Sequence, residues 1–492
     1  MNMSLFASEN VVIHGAGTAG AYSARLISES GGTVLAFVDD DREHVGKKIN
    51  GINIEGSLEK VSELTAPASF KVLVAMPSAP SESLRKVCKR YFDLGFDVFL
   101  LPTFEELISG KMKLADVIPF GKSNIDIELD GFEGNNVHSQ YKNKVVLVSG
   151  AAGSIGSELC KQLASRQVSK IIAVDNSEYG LYKLISADYF NNSQSVCIEP
   201  KLGSVCDAGF IQSLFLNNSI DLIFHAAAYK HVPLVEDNVV EGVKNNIMST
   251  SILVDAANEH NVKKFVLIST DKAVRPTNVM GASKHVAELI IKRGAKRDTK
   301  SQSSCVFSAV RFGNVVGSSG SVLPLFLQQI KAGGPLTVTS KEITRYFMSI
   351  SEAANLVLNT GCYSNQGYVY LLDMGEPVKI YDLAERLVIM SGLVPVSTEP
   401  KSYNEIKIDV VGLRPGEKLY EELLIDGATI ATNHPMIFAS DDINLEEKSF
   451  DQLLNVLKNA LTNYDEARVV GLLSEMVRGS QLKTKSPRDD SL

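Results

Sequence analysis

The sequence predicts an α/β protein with two doubly wound parallel sheets, the second carrying a smaller C-terminal substrate-binding region. Short β-branched runs alternate with helical patterns over the first 120 residues, which is typical of βαβ units. The same alternation restarts at Lys144 after a polar stretch. A chain of 492 residues is also too long for one compact core.

The first predicted sheet lies within residues 1–120. Its strands are the apolar runs VVIHG, TVLAFVDDD, KVLVAMP and DVFLLP, and helical segments separate them. This arrangement indicates a Rossmann-like domain. The stretch 121–143 is rich in Asn and Gly, which favour turns and loops, and is predicted to be a linker.

The second predicted domain spans residues 144–440 and is also Rossmann-like. Its strands include KVVLVSG, KIIAVD, DLIFHAAA and KFVLIST. From about residue 317 helices mix with short strands, which indicates a substrate cap. Residues 441–480 are predicted to form C-terminal helices, and the polar tail 481–492 is predicted to be disordered.

Composition excludes several classes of partner. The net charge of −8 disfavours nucleic acid and anionic membrane surfaces, because both attract basic proteins. The six cysteines are scattered without metal-ligand spacing, so neither a metal site nor a disulfide framework is expected. No apolar run approaches the roughly 18 residues of a membrane helix. We therefore expect a cytoplasmic protein, with the inner face of the membrane as the alternative location, and no membrane segment in this chain.

The stretch GAGTAG, from Gly15 to Gly20, follows the first apolar strand and opens a helix. Glycines at this spacing let the backbone approach a pyrophosphate at a helix N-terminus. An acid after the next strand, here Asp39, suits a ribose hydroxyl. The pattern fits a second nucleotide site at Gly15, Gly17, Gly20 and Asp39 as well as it fits a turn that is merely tight.

The stretch GAAGSIG, from Gly150 to Gly156, also joins a strand to a helix. It is the stronger candidate for cofactor binding, because the later strand end HAAA supplies small residues where a nicotinamide needs space. Asp175 would repel a ribose 2′-phosphate, so NAD is favoured over NADP. The predicted cofactor contacts are Gly150, Gly153, Ser154, Ile155, Gly156, Asp175, Ala226, Ala228, Asn246 and Lys284.

Six segments carry a resemblance to a known family. They are GAAGSIGSEL, HAAAYKHVPLVE, STDKAVRPTNVMGASK, RFGNVVGSSGSVLPLF, TRYFMSISEA and LRPGEKLYEELL, in this order along the chain. Together they resemble the polysaccharide-biosynthesis branch of the extended short-chain dehydrogenases, specifically the nucleotide-sugar 4,6-dehydratases that act on UDP-N-acetylglucosamine. Long members of that family place a Rossmann-like domain before the catalytic one and usually begin with membrane helices.

The resemblance implies a UDP-sugar substrate, NAD as cofactor with NADP as the alternative, and a role in surface polysaccharide synthesis. By analogy with short-chain dehydrogenases a homo-oligomer is expected. A 4,6-dehydratase passes a hydride from sugar C4 to nicotinamide, removes water across C5 and C6, and returns the hydride to C6. It needs a base at C5 and an acid at the C6 hydroxyl.

The family pattern assigns the acid to Asp271 and the base to Lys272, with Thr270 in the place of a hydroxyl residue common to these enzymes. Free aspartate titrates near ~3.9 and lysine near ~10.4, so at neutral pH each group holds the wrong proton. Our hypothesis is that substrate closure dries the site and leaves Asp271 protonated and Lys272 neutral. The alternative is a surface ion pair on a loop.

Met280 stands where related enzymes carry a tyrosine, four residues before Lys284. In the common pattern the tyrosine takes the proton of the C4 hydroxyl, and the lysine holds the nicotinamide ribose. Lys284 keeps the second duty, but a thioether cannot move a proton. The C4 proton must go to Asp271 or to a water relayed through Thr270, and the sequence does not rank these two routes.

The phosphates of a UDP-sugar suit planar guanidinium groups. Arg345 and Arg414 match the nucleotide-contacting positions of the family, and Asn314 matches a substrate phosphate contact. Glu417 is expected either at the ribose or as a solvated glutamate at a helix start. Lys230 is expected either at the sugar or in a structural hydrogen bond.

Two other functions stay open at this point. A UDP-sugar 4-epimerase or keto-reductase on the same fold needs no base at C5, and it depends on the tyrosine that Met280 replaces. A non-catalytic nucleotide sensor would explain the methionine, but it gives no reason to keep Asp271, Lys272 and Lys284.

Overall fold

A computed structural model of the chain describes residues 3–56, 70–77, 79, 81–103, 106, 116–120, 136–187, 190, 196–298, 305–391, 393–424, 429–441, 447–477 and 482. The chain divides into two compact units that interleave along the sequence. The first unit consists of Met1–Gly131, Val322–Phe347 and Glu376–Gly412. The second consists of Phe132–Ser321, Met348–Gly375 and Leu413–Leu492.

The main sheet of the first unit has seven strands among the residues that the structure describes. In spatial order they are Lys48–Ile49, Ile52–Glu55, Thr33–Val38, Asn10–His14, Lys71–Val74, Val98–Leu100 and Ile118–Phe120. The five central strands pair in parallel, and an antiparallel strand closes each edge. The chain order reverses between Asn10–His14 and Lys71–Val74, which creates a topological switch point.

Alternate residues of the first strand pack on opposite faces of this sheet. Val11 and Ile13 join the apolar cluster that contains Ile27 of helix Thr18–Glu29. Val12 joins the cluster that contains Leu84 of helix Ser81–Asp93. Because both faces are covered, the first sheet is doubly wound, as the sequence predicted.

Apart from one short helix near the start of the chain, the remaining elements of the first unit come from the region predicted as the substrate cap. Strands Leu336–Val338, Glu405–Val410 and Val394–Val396 form a small parallel sheet, and Thr344–Arg345 pairs with Val378–Lys379. The helices are Val322–Lys331 and Ile380–Met390, and a short 3-10 helix, Met3–Phe6, precedes the first strand of the unit.

The second unit is built on a nine-stranded sheet within the described residues. In spatial order its strands are Cys197–Leu202, Lys170–Asp175, Val145–Ser149, Leu222–His225, Lys264–Ile268, Val306–Arg311, Val369–Leu372, Ile437–Ser440 and Ile430–Ala431. The first seven pair in parallel, and the last two are joined to the sheet through antiparallel pairs. The chain order again reverses, between Val145–Ser149 and Leu222–His225. This confirms the prediction of two Rossmann-like sheets.

Helices cover the sheet of the second unit. The α-helices are Asn136–Tyr141, Ser154–Ser165, Glu178–Ile185, Ala208–Asn217, Val232–Asp237, Val239–Val243, Ser249–Glu259, Val279–Asp298, Ile350–Tyr363, Glu447–Thr462 and Glu466–Met476. A π-helical segment spans Lys244–Met248, a 3-10 turn spans Asp271–Ala273, and Asn314–Val315 is a two-residue strand. Of the two-residue strand Phe347–Met348, only Met348 belongs to this unit.

Several predictions concern segments that are only partly described. Of the predicted linker 121–143, residues 136–143 are described, and buried Tyr141 donates a hydrogen bond to the Leu358 carbonyl oxygen (2.6 Å). Of the predicted tail 481–492, all but residue 482 lies outside the described residues. Within the described part of the chain, no helix is long and apolar enough to cross a membrane, and no cluster of metal-ligating side chains is present.

A buried ion pair links three elements of the second unit. Glu288 and Arg311 are fully buried, and two hydrogen bonds of 2.8 Å join guanidinium and carboxylate. Ser269 also donates to Glu288 Oε1 (2.6 Å), and Arg311 NH1 donates to the carbonyl oxygen of Leu423 (3.2 Å). The pair therefore joins the end of a central strand, a long helix and a distant segment of the chain.

Replacing Arg311 by methionine should destabilise the protein strongly, because it leaves the Glu288 carboxylate buried and uncompensated. We expect the free energy of unfolding to fall by about 3–5 kcal/mol, measured by urea denaturation followed by circular dichroism. Arg25→Met is the matched control, because it removes an exposed ion pair with Glu29 and should leave the transition midpoint almost unchanged. Equal effects of the two substitutions would contradict this account.

Candidate active site

The second glycine-rich turn, Gly150–Gly156, connects strand Val145–Ser149 to helix Ser154–Ser165. Gly150 has φ +67°, and a Cβ atom there would lie 2.6 Å from the Ala227 amide nitrogen. A Cβ atom on Gly156 would lie 2.0 Å from the Gly150 carbonyl oxygen. Only glycine allows these approaches, which bring the turn against the strand end HAAA and open the helix N-terminus toward an anion.

The Asp175 carboxylate is fixed at the end of the neighbouring strand. Its Oδ2 accepts a hydrogen bond from the Ala152 amide of the glycine turn, and its Oδ1 accepts one from the Ser177 amide, both at 2.9 Å. A cleft of about 260 Å³ lies beside this carboxylate. Of the predicted cofactor contacts, the cleft brings together Gly150, Gly153, Asp175, Ala226 and Ala228.

The other predicted cofactor residues of the turn and of the π-helical segment do not line this cleft. Ser154 Oγ accepts a hydrogen bond from the Ser319 amide (3.2 Å), and Ile155 is half-buried. Asn246 exchanges hydrogen bonds with both backbone groups of Tyr229 (2.7 and 3.0 Å) and donates to Ser283 Oγ (2.9 Å). Asn246 therefore braces the strand end against helix Val279–Asp298.

The predicted acid and base lie on a loop that follows strand Lys264–Ile268, and we name residues Ser269–Ala273 the acid–base loop. Asp271 is fully buried, with 0% of its surface exposed. Its Oδ1 accepts hydrogen bonds from Thr270 Oγ1 (2.8 Å) and from Lys272 Nζ (2.9 Å). The alternative of a surface ion pair is therefore wrong, because only the lysine reaches solvent, with 23% of its side chain exposed.

Two further groups surround the Lys272 ammonium. Asn314 Oδ1 lies 3.5 Å and Glu421 Oε1 lies 3.7 Å from Lys272 Nζ. By contrast, Asp271 Oδ2 is buried and makes no hydrogen bond to any described residue. A buried carboxylate oxygen without a partner is costly, so a substrate hydroxyl that donates to it would gain free energy.

Lysine 230 lies near the same charge cluster. Burial lowers the pKa of Lys230, and the positive charge of Lys272 lowers it further. Its neighbour His231 packs closely on Gly320, where a Cβ atom would lie 2.3 Å from the imidazole ring. Burial, helped by the charge of Lys230, lowers the pKa of His231 as well.

Helix Val279–Asp298 carries Met280 and Lys284. Its first turn is capped from outside, because Val279 N donates to Glu236 Oε1 (2.6 Å) and Gly281 N donates to Asn278 Oδ1 (2.8 Å). Met280 is buried in the apolar core.

Lysine 284 is also buried. Desolvation lowers its pKa to about 8, although Glu288 one turn later opposes the shift. A lysine with this pKa remains largely protonated at neutral pH and can still hold a ribose hydroxyl.

The segment Leu413–Leu424, which we name the RPGEK segment, is held against the loop after Asp271. Thr277 Oγ1 donates to the Gly416 carbonyl oxygen (2.7 Å), and Lys418 Nζ donates to the Val274 carbonyl oxygen (2.8 Å). Arg414 is exposed, and its amide donates to Glu417 Oε2 (3.1 Å). The Glu417 carboxylate thus caps its own turn.

The remaining predicted residues belong to the first unit. Arg345 donates from NH1 to the Thr344 carbonyl oxygen (2.7 Å). In the first glycine-rich turn Gly15 has φ +109°, and a Cβ atom on Gly20 would lie 2.0 Å from the Gly15 carbonyl oxygen. Gly17 is the N-cap of the following helix.

Asp39 follows the next strand of this unit, and its Oδ2 accepts a hydrogen bond from the Ala16 amide (2.7 Å). Burial raises the pKa of Asp39, but hydrogen bonds from the Asp41 and Ala16 amides and from His44 outweigh it and lower the pKa overall. The two units therefore share one arrangement, in which an aspartate at a strand end accepts a hydrogen bond from an amide of the glycine turn.

Three residues of the site were not recognised in the sequence. Glu421 lies within the quoted segment LRPGEKLYEELL and Arg311 begins the quoted segment RFGNVVGSSGSVLPLF, but neither was assigned a role; Glu288 had no sequence signal beyond a charge in an apolar pattern. Their importance comes from burial and from contacts between elements far apart in the chain.

The chain is similar in sequence to known proteins. A sequence profile of the family described as "Polysaccharide biosynthesis protein" matches residues 146–442. The chain is 40% identical over 403 residues to the capsular polysaccharide biosynthesis protein CapD of Staphylococcus aureus, covering 80% of this chain and 64% of that protein. It therefore spans less than two thirds of the length of that relative.

Among the relatives whose names give a defined activity, two represent the two activities found. One is a UDP-N-acetylglucosamine 4,6-dehydratase (inverting) of Campylobacter jejuni, 30% identical over 64% of this chain and 89% of that protein. The other is a UDP-glucose 4-epimerase of Rickettsia canadensis, 32% identical over 58% of this chain and 78% of that protein. The X-ray structure of Pen from Bacillus thuringiensis is similar with a TM-score of 0.53 and 30% identity, covering 64% of this chain and 99% of that one.

Gly281 lets helix Val279–Asp298 approach the acid–base loop. A Cβ atom at this position would lie 2.2 Å from the Lys272 carbonyl oxygen. We therefore expect Gly281→Ala to lower the free energy of unfolding by about 1–3 kcal/mol. Gly471→Ala is the control, because its Cβ meets nothing within 4 Å, and it should stabilise its helix by up to about 1 kcal/mol. Thermal unfolding followed by circular dichroism measures both; stabilisation by Gly281→Ala would refute the close approach.

Proposed function

This chain belongs to the polysaccharide biosynthesis protein family, and we propose on that premise that it dehydrates a UDP-N-acetyl-hexosamine to a 4-keto-6-deoxy sugar. UDP-N-acetylglucosamine is the substrate to test first, for surface polysaccharide synthesis. The observation that carries the proposal is the buried Asp271–Lys272 pair. A 4-epimerase has no use for an acid and a base beyond C4, whereas elimination across C5 and C6 requires both.

The glycine turn suits NAD as the cofactor. Its glycines allow the backbone to approach a pyrophosphate, and the fixed Asp175 carboxylate suits ribose hydroxyls and repels a 2′-phosphate. Bound there, NAD would accept the hydride from C4 and return it to C6. Because parallel strands end at one edge of the sheet, the acid–base loop and the glycine turn open on the same side.

Counting protons supports Asp271 as the acceptor of the C4 proton. Thr270 Oγ1 donates to Asp271 Oδ1 at 2.8 Å, so a proton from the C4 hydroxyl can pass through Thr270 to the carboxylate. Asp271 then holds the proton that the C6 hydroxyl needs to leave as water. In this proposal the two routes left open by the sequence become one relay, and the proton that Asp271 needs comes from the C4 hydroxyl and not from drying of the site.

Lys272 takes the C5 proton and gives it back when the hydride arrives at C6. It must be neutral when it acts, so its ammonium proton passes to solvent, which 23% of its side chain reaches, before the C5 proton is removed. Protonation of Asp271 favours this loss, because it removes the nearest negative charge. One proton passes from C4 to the leaving water, and another leaves C5 and returns. Both groups therefore end the cycle as they began it.

Fewer observations support the residues proposed to contact the substrate than support the acid and the base. We propose that Asn314, 3.5 Å from Lys272, and the exposed Arg414 contact the substrate. The Glu417 carboxylate caps its own turn, which favours a structural role for it. Arg345 and Lys230 keep their proposed contacts with the nucleotide and the sugar.

Asp271→Asn and Lys272→Ala should each lower turnover of UDP-N-acetylglucosamine by at least about 100-fold, because each removes one proton-transfer group. NAD should bind both variants as it binds the parent protein. Product formation is followed by NMR, and NAD binding by calorimetry. Lys331→Ala, on an exposed helix end, is the control with full activity. If either variant turns over the substrate within a few fold of the parent rate, the role assigned to the substituted residue is wrong.

Met280→Tyr tests the missing tyrosine. If the relay through Thr270 already moves the C4 proton, the new phenol should change turnover by less than about tenfold. Because Met280 is buried, the larger ring should also cost about 1–3 kcal/mol of stability, and Met280→Leu controls for packing. An inactive parent that gains activity with tyrosine would instead favour the nucleotide-sensor alternative.

A further inference from the structure

Glu421 approaches the candidate base from a part of the chain remote in sequence. Its side chain is 4% exposed, and its Oε1 lies 3.7 Å from Lys272 Nζ. The lysine thus lies between two carboxylates, Asp271 at 2.9 Å and Glu421 at 3.7 Å. The first is bonded to the Thr270 hydroxyl that begins the proposed proton relay, and the second stands outside that relay.

The backbone on both sides of Glu421 is anchored to the site. Upstream, Lys418 donates to the Val274 carbonyl oxygen (2.8 Å), only three residues after Asp271. Downstream, the Leu423 carbonyl oxygen accepts from buried Arg311 (3.2 Å). These two anchors hold the glutamate at a defined distance from the acid–base loop, as expected for a group that orients a reacting side chain.

Charges from three elements face Lys272. Asp271 comes from its own loop, Glu421 comes from the RPGEK segment, and Lys230 follows strand Leu222–His225 and is close enough for its pKa to be lowered by Lys272. The uncharged Asn314 also lies near Lys272, with its Oδ1 3.5 Å from Nζ. Once Asp271 has been protonated in the reaction, Glu421 is the one carboxylate among these groups that can still balance a charge on Lys272.

We propose that Glu421 is a positioning residue, which aims Lys272 at C5 and stabilises its ammonium as the C5 proton arrives. This inference rests on the proposed dehydratase function. Glu421 would then act as the third group of a catalytic triad does, because it orients the base and stabilises the charge that forms on it.

The step that Glu421 supports follows from the proton count. Oxidation at C4 leaves Asp271 neutral, so removal of the C5 proton places a positive charge on Lys272 while Asp271 still holds its own proton. Asp271 becomes an anion again when it passes that proton to the C6 hydroxyl, which leaves as water. Glu421 compensates the positive charge on Lys272 while the C–H bond at C5 breaks and the proton moves to Nζ. Hydride transfer from C4 precedes this step and does not involve the glutamate.

Glu421→Gln is the direct test, because it keeps the size of the side chain and removes its charge. We expect kcat for UDP-N-acetylglucosamine to fall about 10- to 100-fold with KM changed less than about threefold. Exchange of the C5 hydrogen with deuterated solvent, followed by NMR, should slow by the same factor. The rapid appearance of reduced nicotinamide, which reports C4 oxidation, should keep its rate.

The pH profile separates positioning from simple structural support. Removing a nearby carboxylate lowers the pKa of a lysine. On the low-pH side of the profile, kcat rises with pH because Lys272 loses its proton. In Glu421→Gln this rise should therefore occur at a pH about one unit lower. Glu421→Asp keeps the charge, so it should leave this rise near its parent pH even if its rate is reduced.

Glu422→Gln is the matched control. Glu422 is the next residue, is 45% exposed and pairs with exposed Arg275, so its substitution should leave kcat and the pH profile unchanged. If Glu421→Gln behaves like Glu422→Gln in an active enzyme, or lowers the rate without moving the rise of kcat to lower pH, the positioning role is wrong. If the parent protein does not dehydrate the sugar at all, the proposed function fails, and that result is seen before any variant is compared.

Discussion

The buried ion pair between Glu288 and Arg311 is the interaction on which the arrangement of the second unit depends. Two charges without solvent are tolerated only when their hydrogen-bonding groups find partners. Here Ser269, at the start of the acid–base loop, satisfies the carboxylate, and the Leu423 carbonyl oxygen satisfies the guanidinium. The pair thus ties the loop of Asp271, the helix of Lys284 and the RPGEK segment to one point inside the protein.

A second constraint is the close approach of backbones at the carboxyl edge of each parallel sheet. In both units a glycine at positive φ turns the chain, and a later glycine packs within van der Waals distance of that turn. An aspartate at the next strand end then holds an amide of the turn, Asp39 in one unit and Asp175 in the other. The glycine turn and the strand-end aspartate recur because, in both units, the backbone must turn tightly to leave a helix N-terminus exposed beside a strand.

The proposed proton transfers at the candidate site depend on the burial of Asp271 away from solvent. Burial around Asp271 makes the gain or loss of one proton there a large electrostatic event for Lys272, which is 2.9 Å away. In the proposed relay, that coupling lets the substrate itself protonate the acid, and no tyrosine is required at the position of Met280. One relative is named as a 4,6-dehydratase and another as a 4-epimerase, so similarity in sequence over this region does not by itself distinguish the two activities.

The sequence by itself determined both parallel sheets, the two glycine turns and the neighbours Asp271 and Lys272, because these depend on local periodicity and on residues adjacent in the chain. It did not reveal the burial of Asp271, the bracing by Asn246 or the approach of Glu421. It also did not show that residues 322–347 and 376–412 join the first unit. Only the tertiary structure decided these, because they depend on which distant elements meet and on what their contact removes from water.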